Sequence, residues 1–304
     1  MTLSVIIPTY NRCEMLKRVL LSYEKQSFKD FEVIVVDDGS SDCTKEMVEN
    51  LAVNYSLLYY FQQNNGPASA RNLGIKKSSG DIILFTGDDI FPAKEDFFQR
   101  HINKSDKNTA VLGYTCWHKE IKKTPFIIFL SGYHFCYKKI TDKQKVDFGC
   151  FYTSNISIVR DIMEKAELFD EEFCYAAYED TEFSFRLKQI GLKIVYEPEA
   201  KAFHNHKTSF LNYCKTMWRK GYSAVILAKK IPELKYKSNI GVSKNFLKRN
   251  LKIIILNKYI MKIISFFINF FDILQIPLPK TVYHKVLDFY RIQGIKFAKA
   301  KYGK

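Results

Sequence analysis

Two adjacent carboxylates, Asp88 and Asp89, follow a continuous apolar run from Ile82 to Phe85. An apolar run without polar alternation predicts a strand buried on both faces, as in a parallel sheet covered by helices. Acidic side chains at the carboxyl end of such a strand lie where open α/β sheets bind their ligands. Paired carboxylates need a counter-charge, which Mg²⁺ or Mn²⁺ together with a phosphate ester would supply. The alternative for an isolated pair is an acidic surface turn.

Polar clusters also follow the other predicted strands. The first strand, from Leu3, is expected to stop at Pro8, and a loop follows it. The second, Phe31–Val36, ends in an acidic turn, and the third, Leu57–Phe61, precedes a short helix from Ala68 to Lys77. This alternation of strands and helices predicts an α/β fold with a parallel sheet and right-handed crossovers. The chain has neither GxGxxG after the first strand nor GxxxxGK[ST], which argues against a dinucleotide-binding dehydrogenase and a P-loop enzyme.

The charge of the chain is distributed unevenly over its 304 residues. Residues 211–304 contain 20 Lys and Arg against three Asp and Glu, whereas residues 1–210 contain 27 against 29. We therefore predict a near-neutral domain over residues 1–210 and a basic helical extension over residues 211–304. The hydrophobic content of 47% is ample for a core.

The basic extension is predicted to form amphipathic helices, mainly over Asn245–Phe271, where Lys244, Lys248 and Lys252 share a helical face. Its longest uncharged stretch, Ile263–Phe271, is far shorter than the ~20 residues of a membrane span. A basic amphipathic helix with aromatic residues suits peripheral contact with an anionic membrane. The alternative is a packed helical subdomain with a solvated basic face. No RNA-binding motif accompanies it, so we expect no nucleic-acid partner.

The seven cysteines show no CxxC spacing, which predicts reduced thiols in a cytoplasmic protein and argues against a zinc site. The first residues form a strand-like run and lack the basic and apolar regions of a secretory signal. We therefore expect a cytoplasmic location, peripheral at the inner face of the membrane.

Six motifs occur in the order found in a known enzyme family. They are Val5–Arg12 (VIIPTYNR), Val35–Asp42 (VVDDGSSD), Asn65–Gly74 (NGPASARNLG), Phe85–Asp89 (FTGDD), Thr153–Asn155 (TSN) and Tyr178–Thr181 (YEDT). Together they resemble the inverting glycosyltransferases of family 2, and the resemblance covers about residues 3–206. It implies a GT-A (Rossmann-like) fold, with a mostly parallel sheet flanked by helices. It also implies a hexosyltransferase-type enzyme (EC 2.4) that moves a sugar from a nucleotide-diphosphate donor to a hydroxyl group, with inversion.

The resemblance also implies where the nucleotide binds. Pro8, Thr9, Tyr10 and Arg12 would form one wall of its site. Asp38 would accept the N3–H of a uracil-type base, because a carboxylate only accepts hydrogen bonds, while Asp37 would cap the turn. Arg71 would lie near the diphosphate or base, where a guanidinium suits phosphate oxygens, and its alternative is a helix-surface ion pair.

The pair Asp88–Asp89 resembles the family's DXD motif, but Gly87 stands where the first acid is expected. Asp89 matches the metal-coordinating acid, and Asp88 the acid that faces the ribose or donor sugar. His204 resembles the family's later metal or diphosphate ligand. His206 is its competitor, and a structural histidine is the alternative. The implied cofactor is Mn²⁺ or Mg²⁺.

Asp180 matches the family's catalytic base, which takes the proton of the acceptor hydroxyl as its oxygen attacks the anomeric carbon. Glu179 is the alternative base, and a helix cap is the alternative role for Asp180. Asn155, with its neighbours Thr153 and Ser154, would lie near the donor sugar or acceptor. The implied acceptor is a glycan or lipid-linked molecule in cell-surface polysaccharide synthesis.

Two other functions remain open. A nucleotidyltransferase of the sugar-nucleotide pyrophosphorylase type would need a Gly-rich loop and a Lys near the first strand, and neither is present. A non-catalytic scaffold that keeps the fold and binds nucleotide, membrane or partner enzymes is compatible with Gly87. The joint presence of Asp38, Asp89 and Asp180 argues against it.

Overall fold

The structure is a computed structural model, and it describes residues 1–132, 137–236 and 258–302. The chain divides into two compact units. We call Met1–Glu120, Phe135–Cys174 and Glu179–His206 the sheet unit, and Ile121–His134, Tyr175–Tyr178 and Lys207–Lys304 the helical unit. The predicted division after residue 210 stays a prediction, since two earlier segments also belong to the helical unit.

The sheet unit contains an eight-stranded mixed sheet in the order β3-β2-β1-β4-β7-β6-β8-β5. Its strands are β1 Leu3–Thr9, β2 Phe31–Asp37, β3 Ser56–Phe61, β4 Ile82–Phe85, β5 Ile90–Pro92, β6 Thr109–Trp117, β7 Ile156–Val159 and β8 Lys193–His204. The first four strands pair in parallel, as predicted, and so do β6 and β8. Strand β7 is antiparallel to β4 and β6, and β5 is antiparallel to β8.

Helices cover both faces of the parallel part of the sheet. The helices of the sheet unit are α1 Cys13–Tyr23, α2 Thr44–Glu49, α3 Pro67–Lys77, α4 Phe97–Lys104, α6 Arg160–Lys165 and α7 Glu179–Gln189. Alternate side chains of β1 enter different cores: Val5 and Ile7 belong to one buried cluster and Ile6 to another. This alternation follows from the two-residue period of a strand. It explains why the strand is apolar at successive positions.

Strand β1 does not stop at Pro8, as the sequence suggested, but continues to Thr9 with Pro8 opposite Val36 of β2. Proline is tolerated where the sheet does not require its missing N–H. Strand β4 ends at Phe85, opposite Ile6, so β1 has a neighbour on one side only at Pro8.

Two of the cysteines form a disulfide, Cys13–Cys43, so the expectation of reduced thiols was wrong for this pair. Cys13 begins α1 and Cys43 directly precedes α2. These helices follow the adjacent parallel strands β1 and β2, whose carboxyl ends lie at the same edge of the sheet. Their 30-residue separation hides this proximity in the sequence.

The helical unit contains α5 Pro125–Ser131, α8 Phe210–Lys230, α9 Lys258–Ile273 and α10 Lys280–Tyr302. Glycines set the close packing of α8 against α10. A Cβ atom at Gly221 would lie 2.0 Å from the carbonyl oxygen of Arg291, and one at Gly294 would lie 2.0 Å from that of Trp218. Within the described ranges, no helix is both long and apolar enough to cross a membrane.

Replacing Gly221 by Ala is therefore expected to destabilise the helical unit. The added methyl group would overlap backbone atoms, which move less readily than side chains, so we expect a loss of about 1–3 kcal/mol or more. Thermal unfolding followed by circular dichroism would measure it. Gly132→Ala is the matched control, because the nearest atom to its added Cβ lies 3.7 Å away. An equal melting temperature in Gly221→Ala and Gly132→Ala would contradict the prediction.

Candidate active site

The carboxyl ends of β1, β2 and β4 meet at one edge of the sheet. Thr9 lies opposite Asp37, and Ile6 lies opposite Phe85, so the loops that follow these strands are neighbours. Ligands of open α/β sheets bind at this edge. The register thus brings the loop after β1 beside the acidic pair after β4.

Asp88 and Asp89 are both buried and share one cation, the guanidinium of Arg12. Arg12 Nη1 lies 3.3 Å from Asp88 Oδ1 and also contacts Asp89 Oδ2, while Nη2 lies 3.0 Å from His206 Nδ1. The hydroxyl of Thr9 donates a hydrogen bond of 2.9 Å to Asp88 Oδ2. Arg12 and Thr9 thus lie against the acidic pair, a contact that sequence reasoning did not predict.

Two histidines from the end of β8 complete this cluster. His204 Nε2 lies 3.3 Å from Asp89 Oδ1, and His206 Nδ1 lies 3.0 Å from Asp89 Oδ2. Antiparallel pairing of β5 with β8 places Ile90 opposite His204, which explains the proximity. One donor atom from each of these three side chains lies within 4.8 Å of the other two, a spacing that a metal ion could bridge. We call Asp89, His204 and His206 the Asp-His-His cluster.

Neighbouring residues hold the Asp-His-His cluster in place. The indole of Trp117 stacks on His204 with a centroid separation of 5.5 Å and an interplanar angle of 7°. The N–H of Asn205 donates to the carbonyl oxygen of Asp89 at 2.8 Å, and its side chain donates to Glu120 at 2.8 Å. The run from Phe203 to His206 was visible in the sequence, but no sequence signal indicated Trp117 or Glu120.

The two carboxylates have opposite electrostatic environments. Burial and the charge of Asp89 raise the pKa of Asp88 to about 7, although Arg12, Thr9 and His204 act in the other direction. Burial also tends to raise the pKa of Asp89, but both histidines and Arg12 hold that pKa well below its usual range. Asp89 is therefore the carboxylate that stays ionised and able to bind a cation.

The acidic turn after β2 is held by its own carboxylates. Asp37 accepts from the N–H of Ser40 at 2.7 Å and from the hydroxyl of Tyr59 at 2.8 Å, in agreement with its predicted capping role. Asp38 accepts from the side chain of Gln62 and from two backbone N–H groups, those of Asn65 and Gly66. A carboxylate has about four acceptor positions, so Asp38 could accept one further N–H.

A second charged cluster joins α3 to α7. Arg71 Nη1 lies 3.0 Å from Glu179 Oε1, and both side chains are buried. The guanidinium also faces the ring of Phe169 at 5.6 Å. This pair is buried, which contradicts the alternative of a surface ion pair, while the contact of Arg71 with a diphosphate or base stays a prediction. The partner of Arg71 is a carboxylate 108 residues away.

Asp180 follows Glu179 in the first turn of α7, so it is not the residue that caps the helix. Its Oδ1 accepts from the N–H of Thr181 at 2.7 Å. Burial and the charge of Glu179 raise the pKa of Asp180 to about 7, while Arg71 acts in the opposite direction. Tyr178, which directly precedes α7, has a positive φ of 70°, a strained conformation for a bulky side chain. Such strain is concentrated at functional sites.

Asn155 differs most from its predicted role, because it is fully buried. Its Oδ1 lies 3.0 Å from His101 Nε2, and its Nδ2 donates to the carbonyl oxygens of Ala200 and Tyr114. All its polar side-chain atoms are thereby used within the sheet core. The structure therefore corrects the expectation that Asn155 faces a sugar: it joins β6, β7 and β8.

The mixed sheet, with its acidic pair at the carboxyl edge, has the GT-A architecture of glycosyltransferases. The structure resembles the mannosyltransferase PcManGT of Pyrobaculum calidifontis with a TM-score of 0.66, at 15% identity, over 99% of this chain and 88% of that chain. At this identity the likeness shows the fold alone.

A family model for Glycosyl transferase family 2 matches residues 4–166. The chain therefore belongs to glycosyl transferase family 2, as its motifs had predicted.

Two relatives show how far the sequence similarity extends. An uncharacterized glycosyltransferase of Haemophilus influenzae is 28% identical over 211 residues, which is 66% of this chain and 78% of that protein. The GalNAc(5)-diNAcBac-PP-undecaprenol beta-1,3-glucosyltransferase of Campylobacter jejuni is 43% identical over 90 residues, which is 29% of each chain. Against a longer glycosyltransferase of Rickettsia conorii, the match spans 20% of the relative's length.

Proposed function

We propose that this chain transfers a sugar, with inversion, from a nucleotide-diphosphate donor to a hydroxyl of a glycan or lipid-linked acceptor. The observation that carries the proposal is the environment of Asp180, which raises its pKa to about 7. A general base works best when its pKa lies near the working pH. Asp180 would take the hydroxyl proton while the acceptor oxygen attacks the anomeric carbon.

A single displacement needs one base and no covalent nucleophile, and the second charged cluster suits that requirement. Glu179 Oε1 is already paired with the cation of Arg71 at 3.0 Å, and we therefore assign the role of base to Asp180. Arg71 and Glu179 are then positioning residues, because they set the location and the charge environment of Asp180.

The Asp-His-His cluster fits a divalent cation, and we infer Mn²⁺ rather than Mg²⁺. Its donor set combines one ionised carboxylate with two imidazoles, whereas Mg²⁺ prefers oxygen ligands. When bound, the ion would neutralise the donor diphosphate and stabilise the leaving nucleotide. Arg12 already occupies Asp89 Oδ2, so it would have to release that oxygen and would then be free to face a phosphate.

The proposed nucleotide site lies along the loops after β1 and β2. Tyr10 is half exposed and can stack on a base, and Asp38 retains one acceptor position for a base N–H. Pro8 and Thr9 would complete this wall. Structures with the same fold support a nucleotide-sugar donor: PcManGT was solved with GDP-Man and Mn²⁺, and TarS of S. aureus with UDP-GlcNAc.

The acceptor and the cellular location are proposed together. The Campylobacter jejuni relative is named for an acceptor linked to undecaprenol, which is a membrane lipid. A lipid-linked acceptor would require peripheral contact with a membrane, and the net charge of residues 211–304 suits an anionic surface such as the inner face. A role in cell-surface glycan synthesis follows from such an acceptor.

One observation favours a second candidate, a non-catalytic scaffold that binds nucleotide. Arg12 already supplies a cation to Asp88 and Asp89, and Gly87 contributes no third acid. A scaffold of this kind would keep the fold and Asp38 but would not depend on a metal.

Calorimetric titration of the full chain with UDP, GDP, CDP and dTDP, with and without Mn²⁺, tests the proposal. We expect one nucleotide to bind, about tenfold or more tightly with Mn²⁺, because an ion held by Asp89 would neutralise the diphosphate. A nucleotide affinity that is equal with and without Mn²⁺ would favour the scaffold. Failure of all four nucleotides to bind to folded protein would overturn the proposed donor site.

A further inference from the structure

Helix α9 of the helical unit has polar side chains on its inner face. Its buried positions recur at helical spacing and are Met261, Ser265, Ile268 and Asp272. The hydroxyl of Ser265 lies 3.1 Å from that of Tyr290. Asp272 accepts from the hydroxyl of Thr124 at 2.8 Å and from the N–H of Phe126 at 2.7 Å. A carboxylate therefore faces the interior, where it anchors the start of α5.

The opposite side of α9 is apolar and exposed. We define the outward face as Ile263, Phe266, Phe267, Phe270, Ile273 and Leu274. These side chains are 45% to 64% exposed and recur at the spacing of one helical stripe. A surface helix in water normally buries its apolar stripe, so the exposed apolar stripe of α9 departs from the usual arrangement. A contiguous exposed apolar patch of this kind marks an interaction surface.

The exposed charged side chains of α9 and α10 are all basic, and they include Lys258, Lys262, Lys280 and Lys285. The carboxylates of these two helices are Asp272, which is buried, and Asp288, which is half-buried. Exposed lysines beside an apolar face without exposed carboxylates complement a surface that is apolar inside and anionic at its boundary. An anionic bilayer has both properties.

Protein occupants fit these charges less well. In a symmetric dimer the same patch would contact itself, which would bring lysines towards lysines. Residues 237–257 contain five basic residues and no acidic one, so they offer no carboxylate to pair with these lysines either.

We infer that the outward face of α9 docks on an anionic membrane surface, with the helix lying in the plane of the interface. Phe266, Phe267 and Phe270 would enter the boundary between headgroups and acyl chains, and the lysines would contact lipid phosphates. The inference rests on the peripheral location in the proposed function and identifies the surface responsible. It uses neither Asp180 nor the Asp-His-His cluster.

Flotation of the full chain with vesicles tests this inference. We expect binding to vesicles of phosphatidylglycerol and phosphatidylcholine, weaker binding to phosphatidylcholine alone, and weakening by salt. The triple variant Phe266→Ser, Phe267→Ser, Phe270→Ser should lower the bound fraction about tenfold or more. Phe61→Ser is the matched control, because Phe61 is 57% exposed on β3 of the sheet unit, and it should bind as the wild type does.

Three results would overturn the inference. One is unchanged vesicle binding by the triple variant. Another is a wild-type dimer that the triple variant converts to a monomer while neither binds vesicles, which would make a second copy the occupant. The last is a melting temperature lowered in the triple variant, which would show that the face is covered within the chain. Nucleotide calorimetry on the same variants separates this test from the donor site, since we expect nucleotide affinity to be unchanged.

Discussion

Asp180→Asn is expected to lower the rate of sugar transfer about 10²–10⁴-fold while nucleotide binding is kept. Asn has nearly the same shape as Asp but cannot accept a proton from the acceptor. The measurement is nucleotide release from nucleotide-sugar donors that carry the nucleotide identified by calorimetry, compared with nucleotide affinity in the same preparation. Asp161→Asn is the matched control, because Asp161 is exposed on α6 and lies outside the charged clusters.

The pH dependence of the transfer rate in the wild type gives a second test of Asp180 as the base. The base acts only when ionised, and burial with the charge of Glu179 raises the pKa of Asp180 to about 7. The rate should therefore rise as pH increases through about 7 and level off above it. Removing the charge of Glu179 by Glu179→Gln should lower the pKa of Asp180 and move this rise to lower pH.

The two acids can be distinguished by comparing these variants. If Glu179 were the base, Glu179→Gln would abolish transfer and Asp180→Asn would retain most of it. That outcome would reverse the assignment. Melting temperatures are needed beside the rates, because Glu179→Gln leaves the buried guanidinium of Arg71 without its partner at 3.0 Å.

Asp89→Asn is expected to abolish the Mn²⁺ dependence of nucleotide binding, with Mn²⁺ affinity about 100-fold or more below that of the wild type. Loss of a residue that only supports a metal ligand typically costs 10–100-fold, so loss of the ligand itself should cost at least as much. Calorimetric Mn²⁺ titration and the electron paramagnetic resonance spectrum of Mn²⁺ measure this without an activity assay. Unchanged Mn²⁺ affinity would remove Asp89 from the metal site.

The histidines provide internal tests of the same site. His204→Gln and His206→Gln should each weaken Mn²⁺ binding, because both imidazoles contact Asp89. His284→Gln is the control, since His284 lies on α10 and packs against Phe129, and it should leave Mn²⁺ binding unchanged. If His206→Gln has no effect while His204→Gln does, His204 is the ligand that the sequence motif had indicated.

Local patterns were sufficient for the parallel half of the sheet. The apolar runs of β1, β2 and β4 are buried on both faces, so each is apolar at successive positions and recognisable without knowledge of its neighbours. The turn chemistry of Asp37 was likewise predictable, because its partner Ser40 lies only three residues away. The GT-A fold and the family membership were predictable for the same reason, because the ordered motifs are local features of the sequence. Both predictions were confirmed.

Contacts between distant residues could not be predicted in this way. Arg12 meets His206 across 194 residues, and Arg71 meets Glu179 across 108. Such pairs depend on the order of the strands in the sheet and on the direction in which each side chain points. The local periodicity of the sequence does not determine either. The outward face of α9 is a similar case, because hydrophobic spacing alone predicts that this apolar stripe is buried.

The sequence by itself determined the family, the parallel strands and the acidic residues at their carboxyl ends, because each depends on residues close together in the chain. Only the tertiary structure decided that Arg12 holds Asp88 and Asp89, that Asn155 is buried, and that Cys13 bonds to Cys43. In each case the deciding contact joins segments that only the folded sheet brings together.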